Sequence, residues 1–85
     1  MKYIEIPIKV VEDNKLSSTN KIVMGLIVSL SMKDGYCFAS NRYLSEIIKV
    51  SKRTITNSLS ALRHHNYIKY KIENNKRKIY LANNF

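Results

Sequence analysis

The sequence predicts a single α+β domain: three helices followed by a small antiparallel hairpin. Two serine-capped stretches with helical spacing lie back to back between Ser40 and His65. After them, apolar and basic residues alternate from Ile68 to Leu81 around Asn74-Asn75. The chain has 85 residues and 45% hydrophobic content, enough for one core and near the lower size that folds without staples.

The segment from Ser40 to Ile68 organises the rest. Ser40 can cap a first helix, because its hydroxyl accepts from the free amides of the first turn. Tyr43, Leu44, Ile47 and Ile48 then recur at helical spacing. The pattern restarts after Lys49-Val50, with Ser51 as a second cap and Ile55, Leu59 and Leu62 along one side of a helix reaching His65. At 100° per residue those three fall within an arc of about 60°. The opposite side holds Arg53, Thr56, Asn57, Ser60 and His64, with no aliphatic residue. No acid occurs between Lys49 and Glu73, so nothing on that side would repel phosphate.

This run resembles the helix-turn-helix of winged-helix DNA-binding proteins. Their pattern v-S-x-x-T-v-x-x-x-L-x-x-L, closed by G-x-I, falls here on Val50, Ser51, Thr54, Ile55, Leu59, Leu62 and Ile68. Asn66 stands where Gly is usual, and Asn also tolerates a left-handed C-cap. Ser45 replaces a small Ala of the first helix, and Asn57 stands where Arg or Lys is common. The resemblance spans roughly Ile4 to Leu81. It is particularly close to the N-terminal DNA-binding domains of plasmid and phage replication initiators of low-GC Gram-positive bacteria. It implies a winged helix, with the helix-turn-helix over residues 40–66 and the wing hairpin over 68–82.

Charge points the same way. Fifteen Lys and Arg against six acids give +9. Residues 1–42 carry +2 of this and residues 43–85 carry +7. An AT-rich genome would explain abundant Lys but not its segregation, so a polyanion partner is expected.

In the N-terminal part, residues 1–11 alternate Ile4, Ile6 and Ile8 with Glu5 and Lys9, and read as an arm or an edge strand limited by Pro7. A polar loop leads to a helix from about Asn20 to Met32, capped by Ser17, Ser18 or Thr19. Ile22, Val23, Leu26, Ile27 and Leu30 form its core face. Met24, Val28 and Met32 form a second apolar stripe, which needs cover from the N-terminal arm or from a second protomer. Gly25 costs about 1 kcal/mol against Ala in a helix and signals close approach of another backbone. Homodimerisation through the first helix or the arm, with Met24, Val28 and Met32 at the interface, is therefore one expectation. Lys33-Asp34-Gly35 reads as a turn and Tyr36-Cys37-Phe38 as a short strand.

The hairpin alternates Ile68, Tyr70 and Ile72 with Lys69 and Lys71, then Lys78 with Ile79 and Leu81. Lys69, Lys71, Lys76, Arg77 and Lys78 are read as its outward set. Lysine on an edge strand also discourages aggregation, but five basic residues beside a polar helix favour a DNA-contacting wing.

The expected function is sequence-specific binding of double-stranded DNA. Arg53, Thr56, Asn57 and Ser60 would contact bases in the major groove. Ser51, Lys52, Arg63, Lys69, Lys71, Lys76, Arg77 and Lys78 would hold the phosphate backbone. Such a reader suits transcriptional regulation or replication initiation of a mobile element. The alternative is a protein-interaction module that kept the shape and lost DNA binding. No enzyme is expected: His64 and His65 are adjacent on a helix and do not converge, and paired carboxylates and phosphate-cradling glycine loops are missing. No cofactor and no metal spacing is read. The lone Cys37 and the lack of a long apolar run point to a reducing cytoplasm and no membrane association.

Overall fold

A computed structural model describes residues 3–82. Its elements run α1 (Ile8–Val11), α2 (Ser18–Ser31), α3 (Asn41–Ile48), α4 (Lys52–His64), β1 (Ile68–Glu73) and β2 (Lys76–Leu81). This is an α+β winged helix: α2, α3 and α4 around one core, closed by the two-stranded hairpin.

Local chemistry sets the helix boundaries. Ser17 accepts from the Asn20 amide while the Asn20 side chain accepts from the Ser17 amide, a reciprocal cap that starts α2. Ser40 and Ser51 cap α3 and α4 by accepting from the amides of Tyr43 and Thr54. Lys49 closes α3 in the left-handed region at φ 61. Asn66 does so after α4 at φ 64, where the Tyr67 amide donates to Leu62 O and the Asn66 amide to Arg63 O. Both hydrogen bonds of a Schellman closure are thus present, with Asn where Gly is usual.

The core gathers Val23, Met24, Leu26 and Ile27 from α2, Leu44 from α3, and Ile55, Leu59 and Leu62 from α4. Val10, Leu16, Cys37, Ile68 and Ile79 complete it. The helix α2 buries more of its circumference than one face. Of its expected core residues, Ile22 is 40% exposed and Leu30 only half-buried. The Met24, Val28 and Met32 stripe does not form a free surface either. Met24 is fully buried in the chain's own core, Val28 is half-covered, and Met32, 81% exposed, alone faces outward.

Cover for α2 comes from the N-terminal arm. A Cβ at Gly25 would lie 2.8 Å from Ile6 Cγ1, 3.1 Å from Ile4 Cδ1 and 3.3 Å from Glu5 O. The expected close approach is therefore made by this chain. The arm is not an edge strand, however. Residues 3–7 pair with no strand, and Pro7 leads into the single turn α1. That turn breaks the alternation, leaving Ile8 67% exposed and Val10 buried. The loop after α1 is tied down by the Tyr67 hydroxyl, which donates to Asp13 Oδ2 at 2.6 Å.

In the hairpin, Glu73 faces Lys76 across Asn74 and Asn75, both at positive φ (52 and 63). Those signs define the left-handed two-residue turn that matches strand twist. The Tyr36-Cys37-Phe38 segment contributes a single bridge rather than a strand. The Cys37 amide donates to Ile79 O at 2.8 Å and the Ile79 amide to Cys37 O at 2.7 Å.

Candidate nucleic-acid interface

Two contacts fix which way α4 faces. Ile55, Leu59 and Leu62 are sunk in the core, and the buried Ser58 hydroxyl accepts from Asn20 Nδ2 of α2 at 3.0 Å. The rotation left to the helix puts Lys52, Arg53, Thr56, Asn57, Ser60, Arg63 and His64 in solvent. The aliphatic-free side is bare. Among the described residues, no hydrogen-bond or ion-pair partner engages the side chains of Lys52, Arg53, Asn57 or Ser60. Their donors and acceptors are open to a ligand.

Thr56 differs from its neighbours. Its hydroxyl donates to Lys52 O at 3.1 Å and accepts from Asn41 Nδ2 at 3.2 Å. With its proton given to Lys52 O and one lone pair taken by Asn41, the Thr56 hydroxyl has no proton left to offer a ligand. Ser51 is also occupied, since its hydroxyl accepts from the Thr54 amide and meets Thr54 Oγ1 at 2.9 Å.

Strand parity sorts the wing. Ile68, Tyr70, Ile72, Arg77, Ile79 and Leu81 share the face that packs on the core, and Lys69, Lys71, Glu73, Lys76, Lys78 and Tyr80 share the other. Arg77 therefore leaves the expected outward set. Consecutive strand residues point to opposite faces, so Lys76, Arg77 and Lys78 cannot all point one way. Its guanidinium donates to Asn41 Oδ1 and to Ala39 O, each at 2.7 Å. Ile72, on the same face, is 65% exposed.

On the outer face the lysines are unequal. Lys71 and Lys78 lie directly opposite, and Glu73 joins them: Lys78 Nζ is 2.7 Å from Glu73 Oε1 and Lys71 Nζ 3.5 Å from Oε2. Hydrogen bonding from Lys78, then the charge of Lys71, holds the Glu73 carboxyl below its ordinary pKa, and the Glu73 hydrogen bond raises that of Lys78. Lys78 also lies 4.7 Å from the centre of the Tyr36 ring. Lys69 and Lys76 are exposed and have no such partner among the described residues.

The lysine face of the ribbon and the open side of α4 meet only in part. Of the inner-face side chains, Tyr70 meets α4 through Arg63, whereas Arg77 reaches the start of α3 at Ala39 and Asn41. Arg63 lies over the Tyr70 ring at 4.2 Å and Arg77 lies 5.4 Å from it. Burial raises the Tyr70 hydroxyl pKa against the opposing pull of both arginines. Lys69 joins Ser60, Arg63, His64 and Tyr70 around a shallow groove between α4 and β1, which links the two surfaces. Asn41 and Tyr70 belong to this site although neither was singled out from the sequence as a site residue. Their roles depend on partners 15 to 36 residues away for Asn41, which no local pattern reports.

The fold and this bare, acid-free helix define a winged helix-turn-helix domain of the DNA-binding type. The profile of the helix-turn-helix domain family matches residues 14–68, and the chain belongs to that family. A solved structure described as "N-Terminal domain of DNA binding protein" superposes with a TM-score of 0.72 at 22% identity, covering 99% of this chain and 76% of that one. Among curated proteins none matches the sequence. No helix among the described residues is long and apolar enough to cross a membrane.

Proposed function

We propose that the chain binds double-stranded DNA sequence-specifically, with α4 in the major groove and the wing on the flanking backbone. The observation that carries this is the exposed face of α4, where Arg53, Asn57 and Ser60 have unpartnered polar groups and no acid stands near them in the chain. Arg53 has the donor fork for guanine O6 and N7, and Asn57 the donor and acceptor for adenine N6 and N7. Ser60 completes the reading surface. Lys52, Arg63, Lys69, Lys71 and Lys76 hold phosphates, together with the N-terminal turn of α4 at Ser51. The biological setting we favour is transcriptional control or the start of replication of a plasmid or phage. The second follows from the resemblance of the helix-turn-helix run to replication initiators.

Fluorescence anisotropy on a duplex selected from a random pool, repeated at several salt concentrations, tests this reading. About five neutralised phosphates give a slope of log affinity against log salt near −4.5. Arg53→Ala is expected to cost about 1–3 kcal/mol on the selected duplex and to relax one base position. Failure to bind any duplex at low salt would favour a protein-interaction module. Equal loss on selected and random duplexes would remove Arg53 from base reading.

A further inference from the structure

Two segments that must address the same DNA are held together by one side-chain amide. Asn41, the first residue of α3, accepts from Arg77 Nη1 of β2 at 2.7 Å and donates through Nδ2 to Thr56 Oγ1 of α4 at 3.2 Å. The chain of bonds continues at both ends. Arg77 Nη2 donates to Ala39 O at 2.7 Å, and Thr56 Oγ1 donates to Lys52 O at 3.1 Å. Donor identity fixes the orientation of the amide. The guanidinium can only donate, so it must meet the carbonyl oxygen, which turns the amide nitrogen towards α4. The guanidinium also lies 5.4 Å from the centre of the Tyr70 ring, which Arg63 approaches to 4.2 Å.

We propose that Asn41 is a positioning residue that braces the wing against the recognition helix. Arg77 and Thr56 are then its two anchors rather than DNA contacts. This rests on the DNA-binding reading above. A hairpin anchored only at its base could swing at the tip. Bonded to Asn41, it presents Lys69 and Lys76 at a set distance from Arg53 and Asn57, and ordering before binding lowers the entropy lost on association.

The test uses the full chain and four variants: Asn41→Ala, Arg77→Ala, Arg77→Lys and Thr56→Val. In the free protein, backbone relaxation should show Asn41→Ala lowering the order of residues 74–77 while the helices keep theirs. An unaltered tip would overturn the brace without reference to DNA. On DNA, each variant should lose about tenfold in affinity for the selected duplex and little on random duplex, with the salt slope unchanged. Arg77→Lys should fare no better than Arg77→Ala, because an ammonium lacks the planar fork. Pairing Asn41→Ala with Arg77→Ala should add little to either alone, since both break one network. If instead Arg77→Lys restores binding, and Arg77→Ala weakens both duplexes equally with the slope shallower by about 1, Arg77 is a phosphate contact and the proposal falls. Absence of wild-type duplex binding would sink the DNA reading, while the relaxation data would still decide the brace.

Discussion

Gly25→Ala sets a local preference against a tertiary contact, and the structure indicates which wins. Within α2, alanine is favoured over glycine by about 1 kcal/mol. Against that, the new methyl would sit 2.8 Å from Ile6 Cγ1, too close for any real contact, and 3.3 Å from the Glu5 carbonyl oxygen. Ile6 Cγ1 is not the free end of a flexible chain; it hangs from a branched carbon, so the arm itself must lift. Overpacking of this kind costs about 1–3 kcal/mol. The expected outcome is a net destabilisation of about 1 kcal/mol, measured as a lower urea midpoint by far-ultraviolet circular dichroism. In an Ile6→Ala background the offending atom is gone. There the same change at Gly25 should be neutral or stabilising, giving a coupling of about 1–3 kcal/mol. Additive effects would refute the claim that the arm covers α2. A midpoint that rose with protein concentration would point to a second copy as the cover instead.

Two further outcomes follow from single residues. Lys49→Gly should raise stability by about 0.5–1 kcal/mol, because φ 61 strains a side-chain-bearing residue by about 1–2 kcal/mol and the unfolded-state entropy of glycine offsets part of the gain; a lower urea midpoint would show that the lysine side chain compensates the strain. Tyr67→Phe tests the bond to Asp13. The Tyr67 hydroxyl, and next the Lys15 amide, hold the Asp13 carboxyl below its ordinary 3.8, so its contribution is present above that pH and lost as pH falls through the depressed value. Asp13 in turn raises Tyr67 above 10.0, so the tyrosine's share is present below that pH and lost as pH rises through the raised value. The stability difference between wild type and variant should be widest near neutrality and close at both extremes; a difference that ignores pH would exclude the pair.

What the sequence made legible was local chemistry. Ser17, Ser40 and Ser51 cap helices because each sits just before a periodic run, and Asn66, Asn74 and Asn75 take left-handed backbone that asparagine tolerates. The open side of α4 was readable for the same reason, since three aliphatic residues at helical spacing leave no choice of rotation. Of the two readings of the N-terminal segment, the covering arm holds, with Ile4 and Ile6 packed on the core, and the edge strand does not, because Pro7 opens a helical turn that buries Val10. Arg77 was grouped with its basic neighbours by composition, although strand parity alone sets it beside Ile79. Met24 leaves its stripe for a physical reason: it is buried in the chain's own core, so of that stripe only Met32 stays open. The Glu73 clasp depends on the hairpin register, and the role of Asn41 on which strand faces which helix, which only the assembled chain reveals.

Cys37 turns the architecture into its own gauge. Its thiol is wholly buried, burial pushes its pKa above the ordinary 9.0, and its backbone is clipped to Ile79. A modifying reagent therefore reaches the sulfur only when the core packed around it opens. The labelling rate of this chain's single cysteine becomes a clock for that opening, readable by mass without any engineered probe.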